Sequence, residues 1–292
     1  MQPACYHSQY SWFLDLQQRT TSTQVSRSIT VDVAGHASAL RFGVTGPENA
    51  ESILVLHGWG SNASIMECVV LFLSNSYRVY NLELPGHGNT PAPPIAWGLE
   101  EHASAVKDFI AQCIPGNFSI FGHSNGGRIA LFLASENDVP PGLQRLILVS
   151  PSGIRGSRSF KVSVLRTLAF ILKAPFLLLP GKAQEYGLDW LRHTVIWSFL
   201  GSSDYRALHG VMRETFVKTV NSYVEDRLAN IRIPVLVFRG ENDDAISNEQ
   251  MKKLEAGIQD AGLVTVDRAG HYAFLDRPDI IEAGTSQFLT SS

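Results

Sequence analysis

The chain has 292 residues, 45% hydrophobic and 17% charged, with 24 basic against 27 acidic side chains and a formal charge of −3. That composition suits a globule with a sizeable core and argues against wholesale disorder. The charge balance argues against a broadly basic nucleic-acid binder. Three cysteines, Cys5, Cys68 and Cys113, are too few and too scattered for a disulfide framework or a cysteine metal site, and read as thiols in a reducing compartment.

Residues 1–27 form an N-terminal extension rich in Gln, Ser and Thr, in which Trp12, Phe13 and Leu14 are candidates for packing or contacts. No basic start followed by an apolar run of about 7–15 residues is visible, so a cytoplasmic location is expected. The most apolar stretch, 162–181, is interrupted by Arg166, Lys173 and Pro175. A membrane span needs about 20 nearly uncharged residues, so no stable membrane insertion is expected.

Short apolar runs then alternate with helical patterns, the sign of a mostly parallel sheet with crossover helices. Strands are expected at 28–33 and 40–44, joined through Gly35, and at 52–56, 77–82, 118–121, 143–149, 235–238 and 263–266. A helix is expected over 99–113 and another from Arg128 to Ala134. Near-continuous apolar strands imply burial on both faces. Between 154 and 231 no strand is expected, and amphipathic patterns mark helices at 190–200 and 208–220. Such an insertion of about 80 residues reads as a helical cap over one edge of the sheet. The core domain is thereby split into 28–153 and 232–292.

Gly122-His123-Ser124-Asn125-Gly126-Gly127 follows one expected strand and precedes a helix. A sharp strand-to-helix turn needs small residues on both sides of its tip and lifts the Ser124 hydroxyl clear of the sheet. There the N–H groups at the helix start favour developing negative charge. Serine needs a base to act as a nucleophile, and a histidine base needs an orienting carboxylate. His271 follows the last expected strand, and Asp243 and Asp244 follow the strand at 235–238. Either aspartate could be the acid, and either choice gives the chain order Ser, Asp, His.

A developing oxyanion needs preorganised donors. The N–H of Asn125 is one, and the N–H of Trp59 in His57-Gly58-Trp59-Gly60 is the other. Gly58 lets substrate approach the backbone there, and the Trp59 side chain either walls the pocket or anchors its loop. His57 and His123 flank the site as hydrogen-bonding supports. His87, in Pro85-Gly86-His87-Gly88, reads as structural. Gly58, Trp59, His123 and Tyr272 are the candidate substrate-binding residues.

These four ordered motifs, the last being Gly270-His271, resemble the α/β-hydrolase family from about residue 29 to 289. The resemblance implies an eight-stranded, mostly parallel sheet with helices on both faces, a helical cap after the sixth strand, and no cofactor or metal. Similar proteins place the acid three residues after the glycine that ends the seventh strand, which selects Asp243. Some relatives carry the acid after the sixth strand, but Ser150-Pro151-Ser152-Gly153 has no carboxylate. Glu83 stands where aspartate is common, and Asn125 where an apolar residue is usual.

The expected activity is hydrolysis of a small-molecule carboxylic ester through an acyl-enzyme, with an apolar pocket lined by the Leu- and Phe-rich stretch 165–179. The alternatives with the same triad are carbon–carbon bond hydrolysis, perhydrolysis and acyl transfer. A receptor that has lost catalysis is the non-enzymatic reading. Arg155, Arg158, Lys161, Arg166, Lys173 and Lys182 precede the first cap acid, Glu185. They form either a solvated face or a surface for an anionic or carrier-bound substrate. The His57–Gly60 loop is similar to that of family members that cleave carrier-bound methyl esters.

Overall fold

A computed structural model describes residues 27–156 and 208–291, together with the isolated positions Pro175, Pro180, Gly181 and Ala183. The expectations for residues 1–26, for the 190–200 helix, for the apolar stretch 165–179 apart from Pro175, and for five of the six cations expected on the cap lie outside the described residues.

The chain opens with a hairpin of β1 (Arg27–Val33) and β2 (His36–Thr45). Its two-residue turn, Ala34-Gly35, has positive φ at both positions, as a tight right-twisted hairpin requires. Next come β3 (Ser52–Leu56), α1 (Glu67–Leu73), β4 (Arg78–Glu83) and α2 (Leu99–Cys113). β5 (Phe118–His123) leads into α3 (Asn125–Ser135), and β6 (Leu143–Val149) follows. α4 (Gly210–Val220) follows, in the segment that the sequence marks as an insertion. The core resumes with β7 (Val235–Gly240), α5 (Asn248–Gly257), β8 (Ala261–Val266), α6 (Ala273–Asp276) and α7 (Pro278–Thr290).

The eight strands form one sheet in the order β1-β2-β4-β3-β5-β6-β7-β8. β1 and β2 pair antiparallel with each other and β2 with β4; all later pairs are parallel. Every residue of β3 is buried, as two covered faces demand. One face packs against α2, α3 and α5 through Phe109, Ile129, Leu131 and Leu254. The other packs against α1, α6 and α7 through Val69, Val70, Phe274 and Ile281. β3 lies between β4 and β5, so crossovers leave it to opposite sides. In such sheets the crevice beyond the strand ends at this switch point takes ligands. The loops after β3 and β5 carry Gly58, Trp59 and Ser124. No described helix is long and apolar enough to cross a membrane.

Candidate active site

β5 ends at His123 and α3 begins at Asn125, so Ser124 alone makes the turn, with φ 49° and ψ −109°. Positive φ is strained for any residue but glycine, and such strain persists only where neighbours hold it. The neighbours are visible. The Ser124 N–H donates to Val149 O at 3.0 Å, and its carbonyl accepts from Ser152 and Arg128 N–H, each at 3.0 Å. A Cβ at Gly122 would lie 2.8 Å from the Gly127 backbone, and one at Gly126 would collide with the Leu56 carbonyl. The glycines of the motif are therefore steric necessities of the elbow.

The 57–60 loop abuts this elbow: a Cβ on Gly58 would lie 3.2 Å from Ser124 Cβ. His57 fixes the loop, donating from Nδ1 to Gly58 O at 2.7 Å and accepting from the Leu84 N–H at Nε2, 3.0 Å away. Its burial pulls its pKa down to about 3, so it is neutral. Trp59 is half-buried, with its ring 4.9 Å from His87 and 5.3 Å from Phe216 of α4. It thus both anchors its loop and joins the loop to α4. The buried Glu83 carboxylate accepts from Asn89 N–H at 2.8 Å and holds the 85–90 turn, at the position where the resemblance implies an aspartate.

On the other side, β7 and β8 deliver the acid and the imidazole. Gly240 has no room for a Cβ because the 269–270 carbonyls press on it. Asn242 N–H donates to Ala269 O at 2.8 Å, which ties the acid loop to the histidine loop. His271 Nδ1 lies 3.0 Å from Asp243 Oδ2. The Asp243 side chain is fully buried, whereas Asp244 is exposed. Asp243 Oδ1 accepts from the N–H groups of Ala245 at 2.8 Å and Ile246 at 2.9 Å. Burial alone raises its pKa, but the bonds from His271 and Ile246, with the nearby Ser150 hydroxyl, outweigh that and hold it at about 2. An ionised carboxylate only accepts, so His271 Nδ1 is the donor and Nε2 is left as the basic nitrogen.

His123 braces the two halves. Its Nε2 donates to His271 O at 3.1 Å, and its ring centroid lies 4.8 Å from both His271 and Tyr272. It is 1% exposed, so it supports the site from behind; Tyr272, 38% exposed, and Trp59 offer the open aromatic surfaces. No hydrogen bond joins the Ser124 hydroxyl to His271 among the described residues; His123, next to Ser124 in the chain, bonds to the His271 carbonyl. Two arginines escaped the sequence reading. Arg239 donates to Ile246 O at 2.9 Å and Asp243 O at 3.2 Å, bracing the acid loop. Arg128, buried on α3, is a lone charge in the otherwise apolar run after the elbow, and that was its signal. Of the expected basic cap face, Arg155 is described and is not free: it pairs with Asp226 at 3.3 Å and Glu225 at 3.7 Å.

Residues 53–283 match the model of the family described as "Alpha/beta hydrolase family". Among curated proteins, the chain is 25% identical to the pimeloyl-[acyl-carrier protein] methyl ester esterase of Nitrosomonas europaea, over 79% of this chain and 92% of that protein. It is 25% identical to monoacylglycerol lipase ABHD6 of Mus musculus, over 80% of this chain and 73% of that protein. Among solved structures, a bacterial membrane phospholipase A superposes with a TM-score of 0.68 at 17% identity, over 96% of this chain and 91% of that one.

Proposed function

This chain belongs to the alpha/beta hydrolase family, and on that premise we propose that it is a serine hydrolase that cleaves carboxylic esters through an acyl-enzyme. The carrying observation is the His271–Asp243 pair, 3.0 Å apart and tied through His123 to an elbow bearing Ser124. Names of the relatives, an acyl-carrier-protein methyl ester esterase and a monoacylglycerol lipase, support ester cleavage.

In this reading the ester carbonyl binds over Ser124, with its oxygen toward the N–H groups of Trp59 and Asn125. Catalytic hydrogen bonds that are open without substrate tighten in the complex, which brings Ser124 Oγ to His271 Nε2. Nε2 takes the hydroxyl proton as Oγ attacks the carbonyl carbon. Asp243, held at about 2, stays charged and stabilises the imidazolium. The tetrahedral intermediate collapses, and Nε2–H protonates the leaving alcohol. Water, deprotonated by the same nitrogen, then releases the acid and restores the serine.

Hydrolysis of p-nitrophenyl esters from acetate to long-chain acyl, by wild type and Ser124→Ala, tests this reading. We expect kcat/KM to fall by about 10³-fold or more in the variant. Equal rates in the two proteins would exclude Ser124 as nucleophile, and no turnover by folded wild type on any of these esters or on an acyl-carrier ester would exclude the esterase reading. A carrier-bound or anionic ester docking on the cap cations is the substrate reading that the carrier-protein esterase supports. It predicts a KM for acyl-carrier esters that rises with salt.

A further inference from the structure

A layer of buried polar side chains between α3 and α4 is not used by the mechanism above. Asn125 and Arg128 are three residues apart on α3 and so share a face, with Asn125 next to the nucleophile. Asn125 is 3% exposed and neither atom of its carboxamide has a partner. Arg128 is 7% exposed; one terminal nitrogen donates to the Thr219 carbonyl of α4, and its Nε has no partner. His102 of α2 is 1% exposed with both ring nitrogens unpartnered, and its ring lies 5.4 Å from that of Trp97. The Trp97 indole N–H and the Thr219 hydroxyl are likewise buried and unpartnered. α4 closes this layer: Thr215 Oγ1 accepts from the Trp97 backbone N–H at 3.1 Å.

The set has a consistent chemistry. Asn125, Arg128, Trp97, Thr219 and one nitrogen of His102 all offer hydrogens. The guanidinium is the charge, and no carboxylate pairs with it among the described residues. Burial pulls Arg128 down only to about 10, so it remains a cation at neutral pH. Burial pulls His102 down to about 3, so it is neutral. Space for the Arg128 stem is reserved by Gly153, where a Cβ would sit 2.9 Å from Arg128 Cγ. Buried donors without acceptors are costly, and buried cations without anions more so. A carboxylate supplies about four acceptor sites and the missing charge.

We propose that Arg128, with Asn125, His102, Trp97 and Thr219, forms a subsite for a carboxylate carried by the substrate, about one helical turn from the nucleophile. The enzyme would then favour esters that bear a second, ionised acid group close to the scissile carbonyl. This inference rests on the esterase reading of Ser124, and the test separates the two.

The mono-p-nitrophenyl esters of succinate, glutarate and adipate are compared with neutral esters of matched shape, such as 5-methylhexanoate for glutarate. Wild type should favour the anion about 10-fold or more in kcat/KM at the best chain length, the worth of a charge-assisted hydrogen bond. In Arg128→Met the anion-to-neutral ratio should fall toward one, with Arg128→Lys between. Thr219→Val, which removes one donor at nearly constant volume, should lower the ratio less and stands in if Arg128→Met does not fold. Acetate esters of hydroxy acids place the carboxylate on the alcohol side; a preference found only there keeps the subsite and reverses the substrate's orientation. Ser124-dependent turnover with no anion preference in either series overturns the subsite and leaves the esterase standing. If no ester is turned over, free glutarate titrated into Ser124→Ala decides by calorimetry: binding that Arg128→Met abolishes supports the subsite, and absence of binding overturns it.

Discussion

Asp243 shows opposing forces resolved within one residue. Its side chain is wholly buried, which favours the neutral acid, yet two backbone N–H groups and His271 converge on it and hold it at about 2. A carboxylate kept ionised in this way fixes the His271 tautomer, and that is its value to the proposed chemistry. Asp243→Asn preserves the shape and removes the charge. We expect kcat on p-nitrophenyl butyrate to fall about 10³–10⁴-fold, while Asp244→Asn, at an exposed position, stays within about 2-fold. Comparable losses in both variants would mean that the acid is misassigned. The neighbouring residues alone left both aspartates open, because burial is a tertiary property; the position three residues after Gly240 separated them. Ser124 and His271 were legible because glycine-rich turns at strand ends have few uses. Arg239 was not, because an arginine at a strand end usually points to water, whereas this one is 7% exposed and is spent on carbonyls of the acid loop.

Elements meet at the elbow with almost no tolerance. α3 starts against the end of β3: a Cβ at Gly126 would strike Leu56 O and lie 2.7 Å from His57 O. Those carbonyls begin the loop that carries Trp59. Gly126→Ala must therefore move either α3 or the 57–60 loop. We expect a stability loss of about 1–3 kcal/mol, the usual cost of overpacking, and a loss in kcat of about 10-fold or more from displaced oxyanion donors. Thermal melts beside kcat measurements on the same preparation check this; an unchanged kcat with a lowered Tm would separate the loop from catalysis. The same packing explains which elements could be read in advance. The central strands β3, β5 and β6 are continuous apolar runs because both faces are covered, and their positions were clear. β2 begins four residues earlier than its apolar run, at His36, because its start pairs in an edge hairpin open to water. α3 begins three residues before the helical pattern, at Asn125, because glycines with poor helix propensity are demanded there by close approach.

Across the whole molecule, three histidines that position the site or its neighbours are buried and neutral. Burial pulls His57, His102 and His123 each from 6.5 down to about 3. In the unfolded chain they take up protons as the pH falls through about 6.5; in the folded protein they do not until about 3. Their folded values are depressed, so stability is fully present above pH 6.5 and is lost progressively below it. Each group can contribute up to about 1.4 kcal/mol per pH unit in that window, against a typical total of 5–15 kcal/mol. Asp243 acts in a lower window: its stabilisation is present above 3.8 and is lost as the pH falls toward about 2. Denaturant melts from pH 8 to 4.5 should therefore show a flat stability above about 7 and a steep decline below 6, before any of the Asp243 contribution is lost. His87 is also buried, with its pKa lowered by that burial, and adds to the same decline. His102→Gln removes one of these four titrating groups and should make that decline about one quarter to one third shallower, even though the variant begins from a lower plateau. A flat profile from pH 7 to 5 in wild type would mean that these histidines are protonated in the fold. The bonds Leu84 N–H to His57 Nε2 and His123 Nε2–H to His271 O fix which ring nitrogens must stay neutral, so the same outcome would also undo the account of how the two loops of the candidate site are held.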